Sequence, residues 1–235
     1  MVVELNLIIS LLKLTKKGSV LTESVKNDSR MPSTTMLKLI EKLQADGMVY
    51  LNKDIVEADS NRRLKLAVRA AALGGDLEGI SNLLCWQEFE AIAAAGLRNN
   101  DYSASSNVRF KQAGHRYEID VVGCKKPLVI CIDCKHWKHA IAPSALRRIV
   151  DAQVERTLAL ANSLPNISLK LECTKWSEAK FAPAVLSLFP SSFKFYDKVP
   201  IVPILQLQDF LKQLPIYAES VKFFHKRFNS LSQNL

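Results

Sequence analysis

Residues 118–135 read Glu118-Ile119-Asp120-Val121-Val122-Gly123-Cys124-Lys125-Lys126-Pro127-Leu128-Val129-Ile130-Cys131-Ile132-Asp133-Cys134-Lys135. Residues 128–132 are purely apolar and rich in β-branched side chains. They follow a Lys-Lys-Pro turn, the pattern of a buried central strand. Side chains on a strand alternate faces, so Asp133 and Lys135 point the same way. Burial penalises charge, and a buried strand that ends in an acid and a base gives up stability for chemistry.

Residues 117–122 form the strand before it. A connection over residues 123–127 makes the two a hairpin, whose register the sequence leaves open. Their acids fall in the order Asp-x12-Asp-x-Lys. Two carboxylates brought close repel unless a cation lies between them. Oxygen ligands with a lysine beside them suit Mg²⁺, with Mn²⁺ as a substitute. The plain alternative is a surface hairpin with an incidental ion pair.

The same pieces in this order, preceded by a helical glutamate, resemble the PD-(D/E)xK nuclease superfamily. Within it the chain is similar to Mrr-type restriction endonucleases and archaeal Holliday-junction resolvases. The helix over residues 86–97 carries the aromatic-Glu pair Phe89-Glu90. Asp151-Ala152-Gln153 falls in a later helix, like the glutamine-bearing helix of the Mrr-like branch. Val199-Pro200-Ile201-Val202-Pro203-Ile204, followed by a short helix, resembles the terminal strand. The resemblance spans about residues 83–214. The chain departs from the usual pattern in having Asp133 where glutamate is commoner, and Cys134 between acid and lysine.

The resemblance implies an α/β fold, a mixed central sheet flanked by helices. It implies Mg²⁺-dependent hydrolysis of DNA by Glu90, Asp120, Asp133, Lys135 and Gln153. Asp120, Asp133, Glu90 and the Cys134 carbonyl would hold the metal. Lys135 would activate or orient water, and Gln153 would position the lysine or a phosphate. Glu88 competes with Glu90, because positions two apart do not share a helix face. For Gln153 itself, a hydrogen bond in the core and a position in the cleft both stay open.

Residues 1–75 read as a separate unit. A helix over 2–14, a short helix over 20–27, a helix over 32–46 and strands over 48–51 and 54–57 resemble a winged helix-turn-helix. In the third helix Met36, Leu37, Ile40 and Leu43 recur at helical spacing. Thr34, Thr35, Lys38 and Lys42 are its outward residues for DNA, protein contact being the alternative. A further helix over 60–73 carries Arg62, Arg63, Lys65 and Arg69 as a basic or solvated face. Gly74-Gly75-Asp76 breaks it and sets the boundary, leaving 76–235 as the nuclease-like domain.

The net charge is +9 and the sequence pI about 9.3. Residues 1–82 hold twelve Lys and Arg against ten acids, and residues 83–235 hold twenty against thirteen. The excess lies with the nuclease-like part, which favours a polyanionic partner. Arg109, Lys111, His136 and Lys138 are candidate DNA contacts there. Cys131-x-x-Cys134-x-His136-x-x-His139 has a zinc-like spacing, but positions 131 and 134 of a strand face opposite ways. Cys131 is then a core residue. Five cysteines imply free thiols. With no span long enough for a bilayer, a cytoplasmic protein is expected. In the segment over 167–173, apolar residues alternate as in a half-buried strand. Further short strands are expected at 193–196 and 201–205.

A single Asp-Asp-Lys site cuts one strand, so a homodimer is expected for a duplex or junction cutter. Two other readings remain. One is a non-catalytic DNA-binding or assembly protein that keeps the fold. The other is a winged-helix transcription regulator.

Overall fold

The computed structural model describes residues 2–135, 141–165, 169–216 and 220–228. These group into two compact units that divide at residue 92. His136, Lys138 and His139 lie outside the described residues.

The first unit contains α1 (Val2–Leu14), β1 (Val20–Leu21), α2 (Thr22–Ser29), α3 (Ser33–Ala45), β2 (Tyr50–Asn52), β3 (Ile55–Glu57), α4 (Ser60–Ala72) and α5 (Leu77–Leu83). Its small antiparallel sheet has the order β1-β3-β2, with Val20 and Leu51 both opposite Val56. Leu7, Ile8, Leu11, Leu12, Ile40, Val56 and Leu66 are fully or almost fully buried. Asp59 caps α4, its carboxylate accepting from the Arg62 N–H at 2.8 Å. Gly74 ends the next turn at φ +85°, a conformation a glycine adopts without strain.

Three expectations for this unit are corrected. Val20-Leu21 is a strand and not the start of a helix. Leu37 is exposed, while Met36, Ile40 and Leu43 are buried. Arg63 is no surface residue: it is 2% exposed. Its guanidinium donates to the Leu12 carbonyl (2.7 Å), the Leu83 carbonyl (2.6 Å), Thr15 Oγ1 (2.8 Å) and Glu88 Oε1 (2.8 Å). Leu12 and Leu83 lie in the last turns of α1 and α5, so one side chain serves carbonyls at two helix ends.

α6 (Trp86–Arg98) crosses the division. The second unit continues with β4 (Ser103–Gln112), β5 (His115–Lys125), β6 (Leu128–Lys135), α7 (Pro143–Ser163), β7 (Glu178–Ser187), β8 (Phe195–Tyr196), β9 (Val199–Pro203), α8 (Leu207–Gln213) and β10 (Phe224–Arg227). Its mixed sheet runs β4-β5-β6-β7-β9-β8, with β10 on β7. The β4–β5 and β5–β6 pairs are antiparallel, and β6–β7 and β7–β9 are parallel.

Helices cover both faces of the sheet. Val122, Cys124, Val129 and Cys131 share a core with Leu160 and Ala161 of α7. On the opposite face Gly123 admits Leu97 of α6, and a Cβ there would lie 2.7 Å from Leu97 Cδ2. Strand β5 therefore runs through Gly123 and Cys124, leaving a much shorter turn than expected.

The described part of the alternating segment, residues 169–173, is not a strand. Where described it leads into a 3₁₀ turn at Glu172–Lys175, and the strand is β7. Pro183 sits inside β7 without breaking it. Lys180 and Leu188 donate their N–H groups to the β6 side, at Pro127 and Lys135, so odd-numbered residues of β7 face the other way. On that side β10 pairs as far as Phe181, and β9 begins at Val185. Pro183 falls in the gap, where an N–H would meet no strand. Residues 224–227 form the strand that pairs with β7.

Candidate functional site

The last backbone pair between β5 and β6 is Val121 with Ile132. One step further along the same register, Asp120 stands opposite Asp133. Both have the parity of Val122 and Cys131, so both belong to the α7 face of the sheet. Asp120 Oδ2 accepts the Cys134 N–H at 2.7 Å, taking the place of a backbone partner where the ladder ends. A residue in an extended strand sends its N–H and C=O to the same side. The Cys134 carbonyl is therefore directed toward β5 as well.

Asp133 is 2% exposed. Its Oδ2 lies 3.0 Å from Lys135 Nζ, and its Oδ1 accepts from Arg156 Nη1 at 2.8 Å. A buried carboxylate held by two cations is stable only with such partners. Burial pushes the Asp120 carboxyl above its usual range, and the charge of Asp133 pushes the same way. The Cys134 N–H, Lys135 and Arg156 oppose this without reversing it.

Gln153 is fully buried, and its Nε2 donates to the Cys131 carbonyl at 2.7 Å. Of the two positions left open for it, the core hydrogen bond is the one present. Its Oε1 has no hydrogen-bond partner among the described residues. On α7, Gln153 and Thr157 lie on the buried side, and Leu158 is 41% exposed. Cys131 and Cys134 face opposite sides of β6, and no three His, Cys, Asp or Glu come together as a metal site among the described residues.

In the first unit, Glu88 is committed to local structure. One oxygen holds Arg63, and the other accepts the Cys85 N–H at 2.7 Å, closing the start of α6. Glu90 is buried and has a partner of its own. Thr34, Thr35 and Lys38 are exposed on α3, and Lys42 pairs with Glu4 at 3.3 Å. On the β4–β5 hairpin, Arg109 bridges Glu118 across the strands at 3.1 Å, while Lys111 stands opposite Arg116.

Arg156 and Arg148 are the residues that sequence reasoning missed. They line a cavity of about 260 Å³ with Asp133 and Lys135. The available signal was the spacing Arg148-Ala152-Arg156, one row of a helix with a small residue in the middle.

As a donor set, the site fits a small hard divalent cation. Two carboxylates oppose each other at the end of a ladder, and a carbonyl is directed to the same edge. The elevated Asp120 carboxyl marks a place where added positive charge would be stabilising.

Residues 82–161 match the family model Mrr_cat, described as restriction endonuclease. An uncharacterized protein of Archaeoglobus fulgidus is 29% identical over 142 residues, which are 59% of this chain and 98% of that protein. Among solved structures, protein VC1899 from Vibrio cholerae is 14% identical. The alignment covers 92% of this chain and 52% of that one, at a TM-score of 0.37. Restriction endonuclease FokI is 12% identical over 94% of this chain and 44% of that one, at a TM-score of 0.35. The chain thus spans about half the length of these two structures. At such low TM-scores neither structure informs the chemistry of this chain. The matched segment runs from before α6 into α7 and takes in Asp120, Asp133, Lys135 and Arg156; over residues 82–161 the chain is similar to this restriction-endonuclease family.

Proposed function

We propose that the protein is a metal-dependent DNA endonuclease whose centre is Asp120, Asp133 and Lys135. The observation that carries this is the register of β5 against β6. It sets the two carboxylates opposite each other, with Lys135 on the same face, inside a segment that matches a restriction-endonuclease family.

Asp120, Asp133 and the Cys134 carbonyl are the proposed ligands of Mg²⁺ or Mn²⁺, with Glu90 as the acid of α6. The commitment of Glu88 to Arg63 and to the helix start supports Glu90 over Glu88. The bound ion would supply electrostatic stabilisation of charge on the scissile phosphate. Lys135, its side chain 28% exposed, can donate to an attacking water or to a phosphate oxygen. Gln153 acts as a positioning residue, tying α7 to β6 at the Cys131 carbonyl.

Residues 1–75 are proposed as a winged-helix module for DNA or protein contact, with Thr34, Thr35, Lys38 and Lys42 on its outward helix. Arg109 and Lys111 are proposed backbone contacts of the nuclease-like part, which carries most of the net charge. A homodimer would bring two such sites to two strands. Among the described residues no helix is long and apolar enough to cross a membrane.

The test is cleavage of duplex, flap, junction and single-stranded DNA with Mg²⁺, Mn²⁺ or EDTA. Cleavage of at least one substrate, lost in EDTA, is expected. The second reading, a non-catalytic DNA-binding protein, draws on the neutralisation of Asp133 by two cations. It predicts DNA binding without cleavage under every condition.

A further inference from the structure

Arg156 pairs with the carboxylate proposed above to hold a divalent cation. Its Nη1 lies 2.8 Å from Asp133 Oδ1, while Lys135 takes Oδ2 at 3.0 Å. Oδ1 is thus hydrogen-bonded to Arg156, while Oδ2 is paired with Lys135 by charge and makes no hydrogen bond among the described residues. The cavity beside them carries three positive side chains, Lys135, Arg148 and Arg156, against the single negative charge of Asp133. Arg148, Ala152 and Arg156 form one row of α7, and the small Ala152 leaves space between the two guanidinium groups. Arg156 is one-third exposed, so its head is not locked in the core. Of the five N–H donors on a guanidinium, one is spent on Asp133 among the described residues.

We propose that Arg156 is an exchangeable counter-ion, which neutralises Asp133 while the cleft is empty and transfers its guanidinium to a DNA phosphate when a divalent cation takes the carboxylate. The two halves of the exchange support each other. A cation on Asp133 removes the partner of Arg156, and a planar fork of donors suits a phosphate better than any other side chain does. The cavity already has an excess of positive charge, with Arg148 as a second donor. The release of Arg156 thus couples metal loading to phosphate binding, and each tightens the other. Arg156 is therefore a positioning and binding residue of the proposed nuclease site, and the inference rests on that reading.

The experiment measures binding without turnover. Mn²⁺ affinity of the full chain is measured by calorimetry in the absence of DNA. Duplex affinity is measured over a range of salt with Ca²⁺ present, a second oxygen-seeking cation, on DNA seen to stay intact. Arg156→Met keeps the aliphatic bulk and removes the competitor, so Mn²⁺ should bind roughly fivefold or more tightly. Its duplex affinity should fall, with a salt slope smaller by about one. Arg156→Lys keeps the charge and loses the fork. Its Mn²⁺ affinity should stay near that of the wild type, and its duplex affinity should still fall.

Unchanged or weaker Mn²⁺ binding in a folded Arg156→Met protein overturns the proposal, as does a wild type that binds no Mn²⁺. If Arg156→Met does not fold, unaltered duplex affinity in Arg156→Lys overturns it instead. A wild type that cleaves no DNA yet shows both shifts would refute the nuclease reading alone. A cleaving enzyme without the shifts would refute only the exchange.

Discussion

Gly123→Ala tests how closely the helix and the sheet of the second unit are fitted. The added Cβ would lie 2.7 Å from Leu97 Cδ2, 3.0 Å from Leu97 Cδ1 and 3.1 Å from Ile130 Cγ2. Favourable carbon contacts begin near about 3.5 Å, so Leu97 must retreat by nearly 1 Å. Leu97 and Ile130 are fully buried, and neither has open space to enter. Overpacking of this kind costs about 1–3 kcal/mol. Leu97→Ala alone should cost about 2–5 kcal/mol through the cavity it leaves. In the double variant the new methyl enters part of that cavity. The two costs should then fall short of additivity by about 1–2 kcal/mol. Chemical denaturation of the four proteins, with unchanged m-values, provides the cycle. A cost below about 0.5 kcal/mol for Gly123→Ala, or strict additivity with Leu97→Ala, would refute the packing described for α6 on β5.

Arg63→Met should destabilise the first unit by about 3–5 kcal/mol, because Glu88 and two helix-end carbonyls lose their partner. Adding Glu88→Gln should recover part of the loss, and denaturation of both variants checks this. Thiol alkylation of the native protein should modify Cys85 alone: Cys124, Cys131, Cys134 and Cys173 are buried, and burial raises the Cys131 thiol far above its usual range. Mass spectrometry that finds a buried cysteine modified at the same rate would contradict this. The raised carboxyl of Asp120 means that the folded state holds this proton more tightly than the unfolded chain does. Without metal, the wild type should therefore lose stability relative to Asp120→Asn as pH rises from the ordinary aspartate value of 3.8 through the folded value, with no further change above it. Paired denaturation curves over acidic pH check the sign, and a gap that does not vary with pH would count against it.

What was legible in the sequence came from periodicity. The unbroken apolar run of β6 marks a strand covered on both faces, and alternation alone puts Asp133 and Lys135 on one side. The start of α6 and the break at Gly74 were equally plain. Register was not legible. The opposition of Asp120 and Asp133 depends on a turn shortened by three residues, because Gly123, Cys124 and Lys125 extend β5. Strand β7 was hidden by Pro183, which is tolerated only because β10 and β9 leave its N–H side unpaired. Arg63 read as part of a basic or solvated face, and Arg156 was missed. Each finds its partners at sequence distances of twenty residues or more, among helix ends or a strand acid that local pattern does not reveal.

The central claim is that Asp120, Asp133 and Lys135 form the centre of a DNA-cutting site. Asp120→Asn and Lys135→Met test it most directly, assayed with Mg²⁺ on whichever DNA the wild type cuts. Asparagine can still accept the Cys134 N–H, and methionine keeps most of the length of the lysine stem, so both variants should fold. Each should cut on the order of 10²-fold more slowly or worse, while still binding the same DNA. A folded Asp120→Asn or Lys135→Met protein that cuts as fast as the wild type would contradict this assignment.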